Sequence, residues 1–247
     1  MKTKRVIRII AIVLVLSVTG IGFYTSKYYR ASDEALATFA SGEVLSERVT
    51  VFRPADMLDA DTVAGEGSVG LIFYPGGKVA VEAYAPLMKS LAEKGIICVL
   101  LEMPLNLAVL DSDAAEGIDE ILPDVERWYV GGHSLGGAMA ASYAADHVES
   151  LEGLVLLASY STKDLANSGL DVISIYGSED QVLNRQSYEQ NRTNLPDNMV
   201  EVIIEGGNHA QFGDYGVQEG DGTATIGGEE QLNQTTEKIA QLIFGKS

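Results

Sequence analysis

The chain has 247 residues, 46% of them hydrophobic, which suits one sizeable core preceded by a short N-terminal segment. Its formal net charge of −18 hides an asymmetry: residues 1–30 carry six basic and no acidic residues, while the remainder carries 11 basic against 35 acidic ones. So acidic a body repels phosphate backbones and excludes a nucleic-acid partner, and the single Cys98 excludes an intrachain disulfide.

In chain order, residues 9–26 hold no charge, and half of them are Ile, Val or Leu. As a helix this run is about 27 Å long, enough to cross a bilayer with Arg8 and Lys27 snorkelling at its ends. Four basic residues precede it, which keeps the N-terminus in the cytoplasm and exports the body. The expectation is a single-pass anchor in the cell membrane with an extracytoplasmic domain. The alternative is secretion after signal cleavage, for which Val18-Thr19-Gly20 is a poor site. The partition is then residues 1–30 as signal anchor, 31–68 as stalk and early strands, and 69–247 as the main core.

Residues 28–42 read as a short helix or stalk, residues 44–52 as an early strand or hairpin, and the acidic stretch 55–68 as a loop. Apolar strands follow at 69–74, 96–101, 128–133, 153–158, 172–176 and 199–204. Helical patterns alternate with them at 80–94 (capped by Gly95), 111–122, from the turn at Ser134 to His147, at 184–194 and at 229–244. A glycine-rich loop covers 206–228. Strands that are apolar throughout, alternating with helices, predict an α/β fold: a mostly parallel sheet with helices on both faces. Cys98, inside one of these runs, reads as a buried strand residue.

The stretch Trp128-Tyr129-Val130-Gly131-Gly132-His133-Ser134-Leu135-Gly136-Gly137 carries the chemistry. It contains G-x-S-x-G between a strand and a small-residue helix, the context that a nucleophile elbow requires. Side chains two residues either side of the serine would clash with the neighbouring strand and helix, and glycine removes them. The serine hydroxyl then needs a base, and the base an orienting acid, in the chain order Ser, acid, His. His133 sits beside Ser134 and cannot easily turn back onto the hydroxyl, and His147 lies one helix length away. His209, in the loop after the last strand, is left as the base. Asp180, just past the end of a strand, is the favoured acid, with Glu179 as the alternative and Asp171 at the wrong edge. An oxyanion hole takes two backbone N–H donors, here Leu135 and Gly77, with Lys78 the alternative to Gly77. The sequence carries neither a phosphate-binding loop nor a metal-ligand motif, and no cofactor is expected.

Several stretches together resemble the α/β-hydrolase superfamily, and most closely the bacterial alpha/beta hydrolase fold-5 family, related to dienelactone hydrolases. They are Phe73-Tyr74-Pro75-Gly76-Gly77-Lys78-Val79, Met103-Pro104-Leu105-Asn106-Leu107-Ala108, Gly132-His133-Ser134-Leu135-Gly136-Gly137, Tyr176-Gly177-Ser178-Glu179-Asp180, and the run from Gly206 through His209 to Gly216. The resemblance covers about residues 69–245 and supports Ser134, Asp180 and His209 as a triad. Dienelactone hydrolases use a cysteine nucleophile, so Ser134 weakens any inference of that substrate. What the resemblance implies is a serine hydrolase acting on a small-molecule ester, a carboxylesterase. Acyl transfer on the same triad and a non-catalytic binding domain are the alternatives. The connection at residues 159–170 is too short for a lid domain. Leu105, Leu107 and Phe212 then offer apolar surface for a small acyl group, with Tyr160 and Tyr215 at its edges.

Overall fold

The structure is a computed structural model that describes residues 27–57 and 67–245. The uncharged run at 9–26, and with it the expected anchor, lies outside the described residues. Among those described, no helix is long and apolar enough to cross a membrane.

Eight strands form one sheet: β1 (Glu43–Ser46), β2 (Val49–Phe52), β3 (Val69–Tyr74), β4 (Ile96–Leu101), β5 (Arg127–His133), β6 (Gly153–Leu157), β7 (Asp171–Gly177) and β8 (Val200–Ile204). Their order is β1-β2-β4-β3-β5-β6-β7-β8. β1 and β2 form an antiparallel hairpin, and β2 runs antiparallel to β4. All other pairings are parallel. The chain leaves β3 toward β4 on one side and returns to place β5 on the other. That reversal opens a crevice beyond the carboxyl ends of β3 and β5, where open parallel sheets collect functional groups.

β3, β4 and β6 are buried along their whole length, so their side chains alternate between two apolar layers. Leu71, Phe73, Ile96, Cys98 and Leu100 pack with α2 (Ala85–Ala92) and α6 (Gly228–Phe244) through Leu87, Met88, Leu91, Ile239 and Ile243. Ile72, Tyr74, Ile97, Val99 and Leu101 face the other way, against α3 (Ile118–Ile121) and α4 (Leu135–Asp146). The small residues Ala140, Ala141 and Ala144 let α4 lie close on the sheet. α5 (Arg185–Asn191) follows β7 and buries Tyr188 against Tyr176.

Two expected helices are shorter than their patterns. Residues 81–84 form a 3-10 turn, and the α-helix begins only at Ala85, because Pro86 has no N–H to give and belongs in a first turn. In the 111–122 stretch only α3 is helical, since Gly117 takes a left-handed conformation (φ 76°) immediately before it. Of the region expected as stalk and early strands, the described part packs into the domain: α1 (Asp33–Phe39) is capped by Ser32, and Phe39 lies against the core.

Leu91 is fully buried between α2 and the sheet. Leu91→Ala is expected to lower unfolding stability by about 2–5 kcal/mol, read by urea denaturation of the purified protein.

Candidate active site

Ser134 stands between the end of β5 and the first residue of α4, with φ 53° and ψ −121°. Its N–H donates to the Leu157 carbonyl at 2.9 Å, and its own carbonyl accepts from Ser159 Oγ at 2.7 Å. Steric space explains the flanking glycines. A Cβ on Gly132 would lie 2.6 Å from the Tyr74 carbonyl oxygen, and one on Gly136 would lie 2.2 Å from those of Tyr74 and Pro75. Among the described residues, the non-glycine positions with positive φ are Lys78, Leu105, Asn106, Ser134 and Ala158. They follow the carboxyl ends of β3, β4, β5 and β6 in turn, so backbone strain gathers at the edge where the crevice opens.

Asp180 lies in the turn after β7 and His209 in the turn after β8. His209 Nδ1 donates to Asp180 Oδ2 at 2.9 Å, and both side chains are buried. Asp180 Oδ1 accepts from the N–H groups of Val182 (2.9 Å) and Leu183 (2.8 Å), which fixes the carboxylate. With Nδ1 committed to Asp180, Nε2 is the nitrogen left with a free lone pair. Glu179 instead accepts from the Ser178 hydroxyl, so of the two neighbouring acids it is Asp180 that meets His209. Asp171 begins β7, at the opposite edge of the sheet. His147 stacks on Tyr143 beyond the end of α4. The His209 ring lies 4.5 Å, centroid to centroid, from that of His133, the residue before Ser134. The structure thus brings the His209–Asp180 pair to the elbow, without a hydrogen bond between Ser134 Oγ and His209 among the described residues.

The loop after β3 separates its donors clearly. Gly76 N–H donates to Tyr84 Oη at 3.0 Å, and Lys78 N–H to the Asn106 carbonyl at 2.7 Å. Lys78, the alternative oxyanion donor from the sequence, is corrected by that bond: its N–H is occupied. The N–H groups of Gly77 and Leu135 have no acceptor among the described residues. The two residues touch, since a Cβ on Gly77 would lie 2.9 Å from Leu135 Cδ2.

Leu105 is 53% exposed, and Leu107 and Tyr160 are half-buried, Tyr160 against Tyr176, Leu183 and Tyr188. Phe212 is buried with its ring 5.7 Å from that of His133. Tyr215 is buried too: it packs 5.5 Å from Tyr29 and donates to Gln218 Oε1, so it belongs to the core. The β6–β7 connection contains no helix that could serve as a lid. A cavity of about 570 Å³ lies behind the His209 turn, lined by Ala83, Leu87, Phe212, Asp221 and Leu232, but not by Ser134, Asp180 or His209. Sequence reasoning missed Tyr84 and Ser159, whose hydroxyls brace the loop and the elbow and which no local motif marks.

Residues 70–233, more than half of the chain, match the sequence model of the alpha/beta hydrolase family. The chain belongs to that family. No curated protein matches the sequence significantly. Among solved structures, Est1E from Butyrivibrio proteoclasticus is similar over 79% of this chain and 93% of its own, at 14% identity and a TM-score of 0.57. A thermophilic esterase from Thermogutta terrifontis, solved with butyrate bound, is similar over 80% of this chain and 88% of its own, at 15% identity and a TM-score of 0.55. A predicted CIB-like hydrolase from Thermoplasma acidophilum is similar over 81% of this chain and 100% of its own, at 12% identity and a TM-score of 0.54. These hydrolases share the fold with the present chain.

His133 is buried within this family's elbow, and burial, reinforced by the neighbouring His209, holds its pKa well below the usual histidine value of 6.5. Below that pH the unfolded chain binds a proton that the native state refuses, so stability falls as pH falls. The slope contributed is about 1.4 kcal/mol per pH unit. Urea denaturation between about pH 7 and pH 5.5 should show wild type losing stability more steeply than His133→Asn. Equal slopes would show that His133 takes up its proton in the native state as readily as in the unfolded chain.

Proposed function

We propose that this alpha/beta hydrolase is a serine carboxylesterase that cleaves small esters through an acyl-serine intermediate. We further propose that residues 1–30 anchor it to the cell membrane with the domain outside. The observation that carries the catalytic reading is one juxtaposition. A strained serine at the elbow lies beside two uncommitted N–H groups, Gly77 and Leu135, and the residue before it packs against a buried imidazole held by a fixed carboxylate.

In this reading the Ser134 hydroxyl attacks the ester carbonyl while His209 Nε2 takes its proton. The Gly77 and Leu135 N–H groups hold the oxygen that becomes negative, helped by the positive N-terminal end of α4. Collapse of the tetrahedral intermediate expels the alkoxide, which leaves as the alcohol after receiving the proton from His209. Water, deprotonated by the same nitrogen, then attacks the acyl-serine, and the acid is released. Asp180 holds the imidazole in the required tautomer and stabilises its cationic form. A helix-free β6–β7 connection and a Ser134 that is only partly buried support an open site for short acyl groups. The butyrate in the Thermogutta terrifontis esterase structure supports the same substrate size.

Ser134→Ala and His209→Ala should each reduce turnover of a short nitrophenyl ester by about 10⁴-fold or more. Asp180→Asn should also be severe and Glu179→Gln mild, and a fluorophosphonate probe should label wild type at Ser134. Retained turnover in Ser134→Ala would refute the acyl-serine mechanism. Across a nitrophenyl series from acetate to palmitate, kcat/KM should peak at about two to four acyl carbons and then fall, because added methylenes find no apolar wall. For placement, external protease on spheroplasts should digest the domain, and a mature N-terminus near Gly20 would replace the anchor with a cleaved signal.

A further inference from the structure

Tyr84 is fully buried in the 3-10 turn between the Gly76–Gly77 loop and α2. Its ring packs 5.4 Å from Phe73 and 5.8 Å from His133. Its hydroxyl accepts from Gly76 N–H at 3.0 Å and lies 2.8 Å from His133 Nδ1. Pairing the buried O–H, which has no other acceptor among the described residues, sets the direction of the second bond. A phenol has one proton to give, Gly76 takes one of its lone pairs, and His133 Nδ1 is the other partner among the described residues. Tyr84 therefore donates to Nδ1, and His133 carries its own proton on Nε2. Nε2 completes no hydrogen bond of normal geometry, although the ring lies beside the His209 backbone.

A hydroxyl and an imidazole placed in an apolar layer are costly to desolvate, and an aromatic–aliphatic pair of the same volume would avoid that cost. The pair also dictates its surroundings. A Cβ on Gly76 would lie 2.6 Å from Tyr84 Oη and 2.8 Å from His133 Nδ1, so the loop is a glycine there because these two side chains fill the space. What the pair joins is specific. Gly76 precedes the uncommitted Gly77 N–H, His133 precedes Ser134, and the His133 ring supports the His209 ring at 4.5 Å.

We propose that Tyr84 and His133 are positioning residues: the bonds from Gly76 N–H to Tyr84 and from Tyr84 to His133 set the Gly77 donor, Ser134 and His209 in register. The inference rests on the reading of Ser134 as nucleophile and Gly77 as oxyanion donor. Removing the Tyr84 hydroxyl leaves the ring in place but orphans the Gly76 N–H, and the loop shifts to satisfy it. A donor displaced in this way binds the ground-state carbonyl much as before but holds the tetrahedral oxyanion poorly, so the loss falls on kcat.

The test uses the purified full chain and a short nitrophenyl ester, assayed well below the melting temperature of every variant. Tyr84→Phe should lower kcat by about 10- to 100-fold with KM changed less than about threefold. Its rate of fluorophosphonate labelling should fall in parallel. His133→Asn, which keeps an acceptor near the Nδ1 position, should retain more activity than His133→Leu. A lowered melting temperature with wild-type kcat and labelling rate in Tyr84→Phe would reduce the pair to a packing role and overturn the proposal. Ser134→Ala separates the two readings. If it stays active, the nucleophile assignment fails. If it is inactive while Tyr84→Phe turns over normally, the positioning role alone fails. Should Tyr84→Phe not fold, equal kcat in His133→Asn and His133→Leu overturns it instead.

Discussion

The close approach of backbone to backbone at the ends of β3 and β5 is the constraint on which the site depends. Gly132 and Gly136 lie so near the Tyr74 and Pro75 carbonyls that a methyl group at either would sit within 2.6 Å of one of them. That contact forces the chain to turn sharply, and Ser134 takes the strained conformation at the apex. It also brings the loop after β3 against the start of α4, so that Gly77 and Leu135 touch. The order of the sheet makes this possible, because β3 and β5 are neighbours whose connections leave in opposite directions.

Around that turn the polar groups divide by whether they are satisfied. Asp180 is fixed by two backbone N–H groups and His209, and Gly76 and Lys78 have their N–H groups occupied. The N–H groups of Gly77 and Leu135 have no acceptor among the described residues. Two donors without an acceptor, side by side at a strained serine, are what the proposed oxyanion needs. The bonds to Gly76 and Lys78 hold the loop on both sides of Gly77, so its N–H is fixed without being used.

Much of this was legible because burial writes itself into sequence. β3, β4 and β6 are apolar throughout since both faces are covered, and the elbow glycines have a steric cause that a local motif captures. That Asp180 and His209 lie in turns after strands was read from the apolar runs, and the two side chains meet there. What escaped depends on contacts between distant segments. The bond from Lys78 N–H to the Asn106 carbonyl joins two loops, and nothing near Lys78 signals it. Tyr84 reads as one more apolar position in a helix, yet its hydroxyl meets His133, 49 residues on. Tyr215 carries a polar tip that suggests a pocket edge, but Tyr29 covers it from the other end of the chain. Helix ends slipped for a local reason, Pro86 in one case and Gly117 in the other.

The first described residues extend the same logic. Tyr29 pairs with Val79 as a short parallel bridge, its N–H donating to the Lys78 carbonyl and its carbonyl accepting from Ala80. The Ser32 hydroxyl donates to the Asp214 carboxylate, and Ser32 N–H donates to the Asp214 carbonyl at 3.0 Å. Asp214 N–H in turn reaches the Ala83 carbonyl at 2.7 Å. Residues 29–32 therefore stitch the loop that carries Gly77 to the loop that carries His209, two segments that are far apart in sequence and must hold a fixed separation. A flexible stalk at this place would leave that separation to the Asp214–Ala83 bond and to packing such as that of the His133 and Phe212 rings. Residues 29–32 are therefore a structural tie at the very edge where Ser134 stands, bonded to both of the loops whose spacing sets the geometry of the site.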